Sequence, residues 1–159
     1  MTGASGPITA DLLRRLSVVH GYGDDEHRAW LARGWQLSAD VTHGVHPNRP
    51  DRHDPIVWPF LGGGPVLKWS AKARYGTDAM TMAVWTRACR AAGAADQVFV
   101  NNNSVPGGSS LGPLAATRLG VRTVDVGTPI IGMHSIRELC APSDQVGLTQ
   151  VAREFLMGA

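Results

Sequence analysis

The 159-residue chain carries 15 Lys and Arg against 13 acids, a net charge of +2, with 43% hydrophobic and 18% charged residues. That composition suits one globular domain able to bury a core and excludes a disordered chain. The balanced charge argues against nucleic acid or an anionic membrane as partner, and no apolar run approaches the ~20 residues of a bilayer span.

Helical and strand patterns alternate along the chain. Thr9 is placed to cap a first helix with Leu12, Leu13, Leu16 and Val19 on one side and Gly21 at its end. Asp24 is placed to cap a second helix that stops at Gly34. A strand follows at about 35–40, then a polar loop punctuated by Pro47, Pro50, Pro55 and Pro59. The run PVLKWSA, 65–71, predicts another strand, and Thr77 or Asp78 opens the longest helix, up to Gly93. QVFVN, 97–101, predicts a short buried strand, Ser109 to Leu119 a helix ending at Gly120, and VRTVDVG, 121–127, the next strand. Ser143 is placed to cap a last helix with Leu148, Val151 and Phe155 facing inward.

No repeat or interdomain linker breaks this order, so residues 1–159 are expected to form a single α/β domain, a sheet flanked by helices. Cys89 and Cys140 make no CxxC pair or disulfide framework and are expected to be reduced, core or near-core thiols. The opening MTGASGPITADL has no basic segment followed by an apolar one, so a cytoplasmic location is expected.

The polar motifs fall at predicted strand ends or in the loops after them, where open α/β sheets place their sites. In SADVTHGVHPN, Asp40 closes its predicted strand and His43 and His46 follow on the loop. His134, in GMHSIREL, is expected in a second strand-to-helix connection. Carboxylate and imidazole are zinc donors, and a hydrolytic zinc keeps one position open for water. The spacing alone admits a plain alternative: Asp40 caps a turn, His46 packs before Pro47, and His134 caps a helix. DxxHxxH lacks the helical i, i+4 pairing of HExxH.

Five segments in order, SADVTHGVHPN, DRHDP, GPVLKWSAKARYGTD, GGSSLGP and TVDVGTPIIGMHSIREL, resemble the aspartyl aminopeptidase family of dinuclear zinc peptidases. The opening TGASGPITADLLRRL is similar to the family segment that leads into this region. The resemblance implies that Asp40 ligates one zinc and His134 the other, two ions per complete site, with other divalent metals as substitutes. It implies that Lys68 lies in the substrate pocket, where an ammonium would pair with an acidic substrate side chain. It implies that Tyr75 lies near the reacting carbonyl, where a phenol could donate to the developing oxyanion. His43 is expected to shape the substrate pocket, and His43 or His46 to orient a ligating carboxylate. Gly107 and Gly108 would let the backbone approach a substrate, or serve a tight turn. Arg137 and Glu138 are expected to hold the His134 loop as a local ion pair, or to be a plain surface pair. The chain departs from the family pattern in several places. Asn101-Asn102-Asn103 stands where the family reads RND, Gly107 replaces a usual cysteine, Ser70 and Ala73 replace common amides, and Thr42 and Gly44 flank His43.

In that family the bridging aspartate, one ligand histidine, a ligand glutamate and the general-base glutamate lie upstream of the TGASGP-like segment. No Glu-Glu pair occurs in these 159 residues. The sequence therefore resembles the C-terminal part of the catalytic domain, with the upstream half and the inserted second domain absent. The expected activity is release of N-terminal acidic residues from peptides, with this chain inactive alone. The expected partners are a peptide substrate and either further copies of the chain or a missing N-terminal half. A non-catalytic assembly module of a split or truncated enzyme is the alternative.

Overall fold

The computed structural model describes residues 6–108 and 111–158. Helix α1 spans Ile8–Val19, α2 Asp24–Arg33, strand β1 Trp35–His43, β2 Val66–Trp69, α3 Ala79–Ala92, β3 Gln97–Val100, α4 Leu111–Leu119, β4 Arg122–Ile131, β5 Leu139–Cys140 and α5 Pro142–Leu156. The strands form one mixed sheet in the order β1-β4-β2-β3, with β5 pairing the far end of β4. β1 and β4 run parallel over nine registered positions, from Trp35 opposite Arg122 to His43 opposite Ile130. β2 is antiparallel to β4, with Val66 opposite Gly127, and parallel to β3, with Lys68 opposite Phe99. No helix among the described residues is long and apolar enough to cross a membrane.

Strand alternation divides the sheet into two faces. Leu67, Val124 and Val126 point to one face and pack with Trp85, Ala88 and Cys89 of α3 and Leu148, Val151 and Phe155 of α5. The register puts Asp40, Lys68, Phe99 and Asp125 on the opposite face. α4 lies on that second face, so close that a Cβ on Gly112 would sit 2.2 Å from Asp125 Oδ2. Only glycine admits this approach of helix to sheet.

Caps account for the best-anticipated helix. Thr81 N–H donates to Asp78 Oδ1 at 2.7 Å, Asp78 N–H donates to Thr81 Oγ1 at 2.8 Å, and Gly93 ends α3 with φ 64°. The other three expected caps move. Pro7, not Thr9, precedes α1. Gly23, not Asp24, precedes α2, its N–H bonded to Glu26. Ala141 precedes α5, with Pro142 in the first turn and Ser143 already helical. Position 109, the expected start of α4, lies outside the described residues. β1 runs three residues past its expected end and β4 four past its own, because each supplies the other's ladder bonds. Cys89 is buried as expected, and burial with the nearby Asp96 charge pushes its thiol up to about 12. Cys140 is exposed on β5 and is not a near-core thiol.

The side of α1 expected to carry Leu12, Leu13, Leu16 and Val19 is largely uncovered, with Leu13 half-buried. Ile8, Leu12 and Val19 are 70%, 55% and 81% exposed, and Leu16 is exposed as well. Helical periodicity specifies which residues share a face, and a face is buried only where another element covers it.

Candidate functional site

The longer β1 changes where the first motif sits. Asp40 is three residues inside the strand, on the sheet face shared with Lys68 and Phe99, and only His43 is at the strand end. His134 also departs from expectation. It lies in the turn between β4 and β5 rather than before a helix. Its φ of 66° is left-handed, an unusual conformation for a side-chain-bearing residue. The turn is held by Ser135 N–H donating to Gly132 O at 2.8 Å and by His134 N–H donating to Glu138 Oε1 at 2.5 Å. Glu138 thus steadies the His134 backbone directly, and no ion pair with Arg137 is found among the described residues.

These elements converge on one cavity of about 480 Å³. Asp40, His43, Lys68, Tyr75, Gly108 and His134 all line it. His46 does not. Its backbone N–H donates to His53 Nε2 at 3.2 Å and its Nδ1 accepts from Asn48 N–H at 3.2 Å, which shapes the loop below.

Lys68 and Asp40 form an ion pair across the sheet face. The lysine side chain is 4% exposed and the carboxylate 42%, so the ammonium is the group that cannot stay buried without a partner. An ammonium has three donors, and this contact uses one of them. Lys68 Nζ also stands 5.9 Å from the Tyr75 ring centroid, and Tyr75 meets Phe99 edge-on at 6.4 Å. Burial, then the Asp125 and Asp40 charges, raise the Tyr75 phenol above its ordinary value, so it keeps its proton. His43 lies 6.2 Å from the Phe99 ring. Burial, then the charges of His134 and Lys68, lower its pKa, so neutral imidazole is favoured.

Sequence reasoning passed over Arg52 and His53, which also line the cavity. They come from the segment DRHDP, 51–55, and the signal was a third imidazole, His53, seven residues after His46. Burial, then His43 and His46, lower the His53 pKa. The proline-rich loop that carries them is tied down where Asn102 Nδ2 donates to His53 O at 2.8 Å.

Asp40 oxygens and a His134 nitrogen are donor types that zinc accepts. Among the described residues no cluster of three or more His, Cys, Asp or Glu is placed to hold a metal ion. The two side chains fit a share of a ligand set rather than a complete one.

Comparison with known proteins gives the family of the chain. The family model for the aminopeptidase I zinc metalloprotease (M18) matches residues 1–156. The chain is 46% identical over 158 residues to the probable M18 family aminopeptidase 2 of Streptomyces avermitilis, covering 99% of this chain and 36% of the relative. It is 39% identical over 153 residues to that of Clostridium acetobutylicum, covering 96% of this chain and 35% of the relative. Among solved structures, the M18 aminopeptidase of Thermotoga maritima superposes with a TM-score of 0.86 at 26% identity, over 98% of this chain and 36% of that one. The S. cerevisiae mApe1 dodecamer superposes with a TM-score of 0.82 at 25% identity, over 98% and 34%. The chain thus spans little more than a third of the relatives it matches. From the family-model match along 1–156 and the shared mixed sheet flanked by helices, the chain belongs to the M18 aminopeptidase family.

Proposed function

We propose that this chain supplies one part of the active site of a zinc aminopeptidase that releases N-terminal acidic residues from peptides. The observation that carries the reading is convergence. Asp40 from β1, Lys68 from β2, Tyr75 from the loop after β2 and His134 from the β4–β5 turn line one cavity. Asp40 and His134 would each hold a metal, with remaining donors and the general base supplied from outside these residues. Zinc bound there supplies Lewis acidity and a water of lowered pKa.

The chain's own side chains do the rest. The protonated Tyr75 phenol donates a hydrogen bond to the carbonyl oxygen as negative charge develops on it. Lys68 uses its donors not taken by Asp40 to pair with the carboxylate of an acidic first residue. Gly108 presents bare backbone to the peptide, and neutral His43 closes the cavity wall next to His134. The dodecameric yeast relative supports a homo-oligomer, and the predicted location is the cytoplasm.

Zinc titration of the purified chain tests the ligand pair, read with a chromogenic chelator as competitor. Wild type should bind zinc weakly, and Asp40→Asn and His134→Asn should each weaken it further. Undiminished binding in both variants would remove them as ligands. No acidic aminoacyl substrate should be turned over by the chain alone with zinc or manganese. In a protein carrying the upstream half, Lys68→Met should lower kcat/KM for Asp and Glu substrates by about 10- to 150-fold, as expected for a charge-assisted hydrogen bond of roughly 1.5–3 kcal/mol. Neutral substrates should change little, and equal losses on both would sink the acidic-pocket role.

A second reading is an assembly module without catalysis. The exposed apolar residues of α1 favour it, since such a stripe suits burial against another chain. Zinc binding that depends on neither Asp40 nor His134 would favour this reading.

A further inference from the structure

A second cavity of about 460 Å³ adjoins the first. The two share Tyr75, Asn101, Val105, Pro106 and Gly108 as a common wall. Their electrostatics differ. The first cavity holds both signs of charge, with Asp40 beside Lys68. The second is lined by Lys72 and Arg74 and by no carboxylate among the described residues. Neither cation takes part in an ion pair found among the described residues. Asn101, Asn102 and Ser104 line the same wall but donate their side-chain hydrogens within the loops, so the two cations are the charged groups it offers.

The turn that carries the two cations is built rather than slack. Lys72 N–H donates to Ser70 Oγ at 3.2 Å and Ala73 N–H donates to Ser70 O at 3.0 Å. Ala73, between the two cations, has φ 51°. A side-chain-bearing residue in the left-handed region is uncommon, and such strain concentrates at ligand clamps. The turn leads directly into Tyr75, the wall common to both cavities, so the two cations adjoin the residue to which the aminopeptidase reading gives the reacting carbonyl.

We propose that this second cavity is an anion subsite for the leaving side of the peptide. Lys72 and Arg74 would receive a carboxylate borne by the residue after the scissile bond, while the first cavity receives the N-terminal residue. This rests on the aminopeptidase reading, and it extends the substrate class from a peptide with an acidic first residue to one with a second carboxylate just downstream. That carboxylate has two sources, an acidic side chain or the C-terminus of a dipeptide, and both present the same group to an Arg fork and an ammonium.

The test is binding, so it does not depend on turnover. Four peptides are titrated into the isotope-labelled chain at low salt: Asp-Glu-amide, Asp-Gln-amide, Asp-Ala with a free C-terminus, and Asp-Ala-amide. Backbone amide shifts of Gly107 and Gly108 report occupancy. The free-acid member of at least one pair should bind about 5- to 10-fold tighter than its amide, the order expected for two exposed charge pairs. The pair that shows the preference identifies the source. The preference should vanish in the double variant Lys72→Ala/Arg74→Ala and shrink as salt rises. It should survive in Lys68→Met, which probes the first cavity, so failure of the acidic-pocket reading is separable from failure of this one. Equal binding within both pairs, a preference that persists without Lys72 and Arg74, or no shift at either glycine with any peptide would each overturn the proposal.

Discussion

The two ends of this domain treat their apolar residues differently. On the α3–α5 side, Trp85, Leu67, Val126 and Val151 are fully buried and close a core against the sheet. On the α1 side, an equally regular stripe of Ile8, Leu12, Leu16 and Val19 faces outward. β1 shows the same asymmetry, since most of its residues are exposed or half-buried while the β4 beside it is buried along nearly its whole length. Amphipathic spacing is present at both ends. What differs is that α3 and α5 pack side by side on one face of the chain's own sheet, whereas no described element of the chain covers the α1 stripe. The site sits between these regimes, with Lys68 and Asp125 anchored on the closed sheet and Asp40 and His134 on its more open margin.

The comparison breaks first at its centre. Trp85→Ala should cost about 3–5 kcal/mol in unfolding free energy, the range for a large aromatic removed from a packed core. Chemical denaturation measures it, and a loss under about 1 kcal/mol would mean that this side is no better packed than α1. Next is Asp144, fully buried in α5, which accepts from Gly62 N–H at 2.7 Å and Gly64 N–H at 2.9 Å. Asp144→Ala removes the acceptor both donors share and should cost about 2–4 kcal/mol, since hydrogen bonds to a charged group contribute about 1.5–3 kcal/mol. The same denaturation experiment reads it, and amide exchange at Gly62 and Gly64 should accelerate with it.

The margin should respond to acid before the core does. His43 and His53 both have lowered pKa values, burial being the larger cause in each. Between the ordinary imidazole value near 6.5 and the lower folded values, the unfolded chain binds more protons than the folded one. The stability these neutral imidazoles contribute is fully present above ~6.5 and is lost as pH falls through the folded values. The Tm should therefore drop between about pH 7 and pH 5, and the drop should be shallower in His53→Gln. An unchanged slope in that variant would remove His53 as a contributor.

The smallest effect is expected at α1. Leu12→Ser should change the stability of the isolated chain by no more than about 0.5 kcal/mol, because the side chain already faces solvent. A cost near that of Trp85→Ala would show that the stripe is covered in solution by another copy. Sedimentation as a function of concentration would then detect the association, and Leu12→Ser would weaken it.

Much of this protein was decided by short stretches of sequence. α3 could be placed from Asp78 and Gly93, and the inward face of α5 from the spacing of Leu148, Val151 and Phe155, because caps and helical period involve neighbours only a turn or so apart. The resemblance of their motifs to a known family set the expectation that Asp40, Lys68, Tyr75 and His134 belong together, and the four line one cavity. The tertiary structure decided the rest through contacts between residues far apart in sequence. Ladder bonds to β4 carried β1 past Asp40 to His43, which moved the carboxylate from a strand end to a sheet face. Two strands that meet β4 from opposite sides brought Lys68 to Asp40, a pairing across 28 residues of sequence that no local pattern encodes. The two-residue β5 closed the His134 turn as a hairpin, and the absence of a facing element left α1 uncovered among the described residues. Periodicity specifies a face within one element, and only the arrangement of the other elements determines whether that face meets protein, ligand or water.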